Sequence, residues 1–199
     1  WRMPKPFIAA LGLIKQAEDA AAFRRGVIDQ IGKQVIEAAN LMSGVIGAGG
    51  KIMVAGNGGS ASMASHFVTE LIVRLTSERN RQSLPAISLA SDTGVITAAG
   101  NDFGFENIFS RQVEGLGNKG DLLFLMSTSG NSENLMRAAH TAKQKKVLTA
   151  ALLGQDGDNL APMVDRAIII PHQATQRIQE EHLFLIHQMV EIIERDLFA

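Results

Sequence analysis

At 199 residues the chain is long enough for one domain with a real core and short for two. Hydrophobic residues make up 46% and charged residues 20%, and no apolar run reaches membrane-spanning length, so disorder and a membrane partner are both disfavoured. A formal net charge of −1 offers nucleic acid no basic face, and the absence of cysteine excludes disulfides, thiolate metal sites and a cysteine nucleophile, as suits a cytoplasmic protein.

The opening WRMPKPFIAALGLIKQ reads as helix rather than secretory signal, because Lys15 interrupts its apolar patch and no small-residue cleavage site follows. Apolar Phe23, Val27, Ile31, Val35, Ile36, Leu41, Val45 and Ile46 recur at spacings near three and four, predicting amphipathic helix over 20–47, closed by the glycines of GAGG. Continuous apolar runs then appear at 51–56, 86–91, 121–127, 147–154 and 167–171. Between them lie helical patterns at 60–75, 92–99, 108–116 and 132–145, with a last one over about 177–197. Such runs, separated by helices, predict parallel strands buried on both faces. The expected fold is α/β, a three-layer, doubly wound sandwich around a five-stranded parallel sheet, in one domain. Residues 1–48 form its N-terminal helical arm and 49–199 its α/β core. The basic cluster KQKK at 143–146 falls where a helix ends, and cations there offset the negative end of the helix dipole.

Two strand-to-helix junctions share a chemistry. The first run leads into GNGGS (56–60) and the third into STSGNS (127–132), so both face the carboxyl edge of the sheet, where ligands bind in such folds. GNGGSA meets the letter of G-x-G-x-x-A at Gly56, Gly58 and Ala61. The acid that would hold a ribose about twenty residues on is missing, since Asp92 comes much later, and no Gly-Lys-Ser/Thr follows the loop. No nucleotide cofactor is therefore expected. Serine hydroxyls and free N–H groups at a helix start suit a phosphate dianion instead, although Ser and Asn are also ordinary helix caps.

His66 and Glu70 stand four apart on a predicted helix, so they share a face. A surface ion pair is the usual meaning of that spacing. Within two turns of a phosphate cradle, and flanked by Phe67 and Val68, the carboxylate is also a candidate general base. In the last helix Gln179, His182 and His187 interrupt an apolar stripe, where a core or interface histidine competes with a catalytic one.

Taken together, GNGGSASMASHFVTEL, GNDFGFENIFSRQVE (100–114), STSGNS and RIQEEHLFLIH (177–187) resemble the SIS (sugar isomerase) phosphosugar-binding domains and, within them, the phosphoheptose isomerases. The resemblance implies isomerisation of sedoheptulose 7-phosphate to D-glycero-D-manno-heptose 7-phosphate in a homotetramer with sites at subunit interfaces. It implies Glu70 and His187 as the acid/base pair. Substrate contacts would come from Asn57, Gly58, Gly59, Ser60, Arg74, Asn101, Asp102, Ser127, Thr128, Ser129, Ser132 and Gln179. In some relatives the positions of His66, Glu70, Gln179 and His187 bind zinc. Many relatives carry Asp where this chain has Gln176. The same resemblance leaves two alternatives: a non-catalytic phosphosugar-binding regulatory or replication-initiator-associated protein, a kind of relative that lacks the acid/base pair, and an isomerase of another phosphosugar. Eight helical residues rise about 12 Å, so Gln179 and His187 meet at one metal only if the helix starts late, long side chains converge or subunits share the site.

Overall fold

Alternation along the buried strands divides the core in two. Ile52 and Val54 of the first strand, Leu122, Phe124 and Met126 of the third, and Leu152 of the fourth face one layer of helices. Their neighbours Met53, Ala55, Leu123, Leu125 and Leu153 face the other. Side chains that alternate between two apolar faces are what continuous hydrophobic strand sequence builds. The computed structural model describes residues 5–198, with side chains from residue 11 onward, so the first four residues of the predicted opening helix lie outside the described residues.

The sheet comprises β1 (Ile52–Gly56), β2 (Ala86–Ser88), β3 (Leu122–Ser127), β4 (Leu148–Gly154) and β5 (Arg166–Ile170), parallel throughout in the order β2-β1-β3-β4-β5. One face is covered by α1 (Lys5–Gly47), α2 (Gly59–Ile72) and α6 (Thr175–Phe198). The other is covered by α3 (Thr93–Phe103), α4 (Ile108–Leu116) and α5 (Glu133–Gln144). Helices on both faces of a five-stranded parallel sheet are the predicted architecture.

Three boundaries differ by three residues or more from the sequence-based expectation, two of them for a visible local reason. β2 stops at Ser88 rather than 91, because Ser88 Oγ accepts from Ala90 N and its carbonyl from Ser91 N, bending this edge strand away. α2 stops at Ile72 rather than 75. There the buried Arg81 guanidinium donates to the carbonyls of Glu70 and Leu71, satisfying acceptors at the helix end, and pairs with buried Glu194 at 2.7 Å. α3 runs on to Phe103, which places Asn101 and Asp102 inside a helix.

At 43 residues α1 is about 64 Å long. Its contact with the body begins near Phe23 and Val27, and the preceding turns leave Leu11, Leu13 and Ile14 exposed. Glu181 of α6, 2% exposed, accepts two hydrogen bonds from Arg24 at 2.8 and 3.0 Å, and this tie fastens α1 to α6.

Candidate active site

β1 and β3 are neighbours, with Gly56 opposite Met126, yet the chain leaves them in opposite directions across the sheet, to β2 on one side and to β4 and β5 on the other. The crevice at such a reversal is where open parallel sheets bind ligands. GNGGS and STSGNS both empty into it.

The glycines of the first loop serve the chain's own packing. A Cβ on Gly56 would lie 2.8 Å from the Ser60 carbonyl group, and one on Gly59 would lie 2.5 Å from Gln179 Nε2. Gly58, at φ 54 and ψ −121, takes a backbone conformation that other residues rarely adopt and sits in open space. In the second loop Ser127, 4% exposed, accepts from Gly130 N at 3.0 Å, and Ser129 Oγ accepts from Asn131 N at 3.3 Å. Ser132 precedes the first turn of α5, and its hydroxyl makes no capping hydrogen bond. Ser60 is buried at the start of α2 and Thr128 is half-buried.

Gly59 meets Gln179 and His66 meets His187, so α2 and α6 run side by side in the same direction. His66 Nε2 and His187 Nε2 are 2.8 Å apart, with ring planes at 66°. Glu70 Oε1 lies 3.6 Å from His66 Nε2, and the two side chains are 15% and 40% exposed. That places a shielded carboxylate and two imidazoles in one cluster. His66 stands between the other two.

Gln179 does not join it. Because α6 starts at Thr175, Gln179 lies within the regular helix, two turns from His187, with its amide against Gly59. Asn101 donates to Asp102 Oδ1 at 2.8 Å, both exposed on α3, and no hydrogen bond or ion pair among the described residues links them to the cluster. Arg74 is exposed beyond the end of α2. Gln176 lines a cavity of about 590 Å³ with Phe23 and His172, away from Glu70 and His187. The donor types of His66, Glu70 and His187 suit zinc. Their arrangement here is a closed imidazole pair, and among the described residues no three His, Cys, Asp or Glu groups converge as a ready metal site.

The SIS domain family matches residues 17–154. A phosphoheptose isomerase of Geotalea daltonii is 40% identical over 191 residues, covering 94% of this chain and 98% of its own. One from Helicobacter pylori is 50% identical over 146 residues, 73% of this chain and 75% of that one. The solved phosphoheptose isomerase of Neisseria gonorrhoeae superposes with a TM-score of 0.87 at 36% identity, covering 94% of this chain and 99% of that one. The chain belongs to the phosphoheptose isomerase family.

As a phosphoheptose isomerase the chain is an enzyme of the aldose–ketose isomerase class. Two features of its crevice escaped the sequence reading. Asn134, in the first turn of α5 and 3% exposed, exchanges two hydrogen bonds with Asn57. Ser65 Oγ lies 3.2 Å from Ser88 Oγ and 3.3 Å from Ser91 Oγ, beside His66. For Asn134 the sequence offered no signal, since a polar residue in the first turn of a helix is ordinary and its partner stands 77 residues away. His182, by contrast, is a core residue: burial lowers its pKa to about 4, its Nε2 lies 3.2 Å from the Leu153 carbonyl and its Nδ1 has no partner among the described residues.

Proposed function

We propose that this phosphoheptose isomerase converts sedoheptulose 7-phosphate to D-glycero-D-manno-heptose 7-phosphate through an enediol, in the making of bacterial surface heptose. The observation that carries the reading is the meeting of Glu70, His66 and His187 on the helix pair that opens from the GNGGS loop. Ser60, Ser127, Thr128, Ser129 and Ser132, with the first N–H groups of α2 and α5, would hold the phosphate. Asn57, Gly58, Gly59, Arg74 and Gln179 would line the sugar chain.

Glu70 takes the proton from C1 of the ketose, and the C1–H electron pair becomes the C1–C2 double bond as O2 receives a proton from His187. Glu70 then returns its proton to C2 while His187 removes the one on O1, giving the aldose with both groups restored. His66, hydrogen-bonded to His187, orients that ring and exchanges its proton. Zinc, when bound, would supply Lewis-acid polarisation of the carbonyl, and His66, Glu70 and His187 are the residues that would hold it; Gln179, two turns along α6 with its amide against Gly59, stands apart from them.

A homotetramer with sites at subunit interfaces is part of the same reading. The exposed Leu11, Leu13 and Ile14 of α1 support it, as does an apolar cavity of about 650 Å³ lined by Ile87, Val95, Phe103 and Leu116. Asn101 and Asp102 then reach the substrate from a neighbouring subunit. The cysteine-free composition suits a cytoplasmic location. The test is to offer the purified chain sedoheptulose 7-phosphate beside fructose 6-phosphate, with and without a chelator, and to resolve the sugar phosphates by chromatography. A heptose phosphate from the first sugar is expected. Turnover of neither would replace the enzyme with a phosphosugar-binding protein.

A further inference from the structure

Two primary amides face each other across the mouth of the crevice. Asn57 Nδ2 donates to Asn134 Oδ1 at 2.9 Å while Asn134 Nδ2 donates to Asn57 Oδ1 at 2.9 Å, which closes a cyclic pair. The partners are 77 residues apart in sequence, one in the loop after β1 and the other in α5, directly behind STSGNS. Among the described residues no backbone pairing joins these loops past Gly56 and Met126, where the β1–β3 register ends. The amide ring is what ties them together.

A primary amide has two N–H donors and two acceptor lone pairs. The ring consumes one of each on Asn57 and leaves one N–H and one lone pair on its outer side. Asn134 is 3% exposed, so losing Asn57 would leave its buried polar atoms unpaired. An unpaired Asn57, by contrast, would turn about its terminal torsion, which is broad in isolated amides.

We infer that Asn134 is a positioning residue for substrate binding: it locks the amide plane of Asn57, sets the gap between the two loops and turns the free edge of Asn57 toward the sugar phosphate. The inference rests on the isomerase reading above and adds to it a residue that need not touch the ligand. Because the locked amide serves ground state and transition state alike, its loss should appear in KM and spare kcat.

Two variants test this. Asn134→Leu keeps a similar volume without hydrogen bonds. Asn134→Asp sets a carboxylate oxygen against Asn57 Oδ1, but once protonated its hydroxyl donates to that oxygen and the ring is restored. Burial should raise the pKa of the new carboxyl. Steady-state kinetics on sedoheptulose 7-phosphate would be run from about pH 5 to about pH 8, each variant relative to wild type at the same pH. For Asn134→Leu we expect KM to rise about ten-fold at every pH with kcat within about two-fold. Asn134→Asp should show that rise near pH 8 and lose most of it near pH 5. Asn57→Ala and the double variant Asn57→Ala/Asn134→Leu should share one KM.

KM values within about two-fold of wild type for both variants at all pH would overturn the inference, as would a loss confined to kcat or additive penalties in the double variant. Should Asn134→Leu fail to fold, the pH response of Asn134→Asp decides alone, its fold followed by circular dichroism. A wild-type chain that does not turn over sedoheptulose 7-phosphate would instead sink the functional reading, and this inference with it.

Discussion

His66 Nε2 and His187 Nε2 share one hydrogen bond at 2.8 Å, so only one of the two nitrogens can carry the hydrogen between them. If His187 exchanges protons with the substrate oxygens, His66 sets which tautomer His187 presents. Replacing His187 with Gln should therefore lower kcat by about a hundred-fold or more, the usual range for loss of a positioned acid/base group. His66→Gln keeps a hydrogen-bonding side chain in place and should cost about ten-fold. Equal losses in the two variants would mean that the rings act as one unit. Wild-type rates for His187→Gln would remove it from the chemistry.

Glu70 is the carboxylate of the cluster and its side chain is only 15% exposed. Glu70→Gln preserves shape and removes the proposed base, so turnover should fall by about a thousand-fold or more while calorimetry still detects sedoheptulose 7-phosphate binding. Exchange of the C1 proton with heavy water, read by NMR, should stop in the same variant. Continued exchange would assign carbon deprotonation to another group.

The glycines beside the cluster separate packing from catalysis. At Gly56 an added methyl meets the Ser60 backbone at 2.8 Å, which cannot move without shifting α2. Gly56→Ala should destabilise the protein by about 2 kcal/mol or more, measured by urea unfolding. At Gly59 the obstacle is the Gln179 amide at 2.5 Å, the far end of a flexible side chain. Gly59→Ala should unfold within about 1 kcal/mol of wild type yet raise KM, because Gln179 is displaced. Reversal of the two ranks would show that the loop, not the side chain, yields at Gly59.

Much of this architecture is legible in the residues because strands buried on both faces must be largely apolar, and the runs at β1, β3 and β4 are so but for Ser127 and Thr149. The Ser-rich repeat after β1 and β3 likewise foretells two loops at one edge, since parallel strands point the same way. The end of β2 is not legible, because it is set by the Ser88 hydroxyl and by the strand having a neighbour on one side only. Nor is the Asn57–Asn134 ring, which exists only because β1 and β3 are adjacent while 77 residues separate the two amides. Helix rise warns that Gln179 and His187 stand apart, but it takes the observed start of α6 at Thr175 to remove the alternative of a helix that begins after Gln179. The ring of His66 is where sequence and structure differ most in what they say: a spacing of four to Glu70 names the carboxylate as its partner, yet His187 is the closer one.

His182 provides a pH signature that is independent of catalysis. Burial lowers its pKa from 6.5 in the unfolded chain to about 4 in the fold, only partly opposed by the Leu153 carbonyl. Between those values the unfolded chain binds the extra proton. Stability from this group is thus fully present above about pH 6.5 and is lost as pH falls through about pH 4, by about 3 kcal/mol in all. Carboxylates titrate in the same window, so the measurement is a difference: urea unfolding of wild type and His182→Leu at matched pH. Leu at this fully buried position also removes the orphaned Nδ1. The gap between the two proteins should move in favour of Leu as pH drops from about 7 to about 4, because only wild type carries a histidine that must take up a proton. A constant gap over that range would mean that His182 titrates alike in the folded and unfolded chains, and that its burial is relieved by a proton-accepting partner.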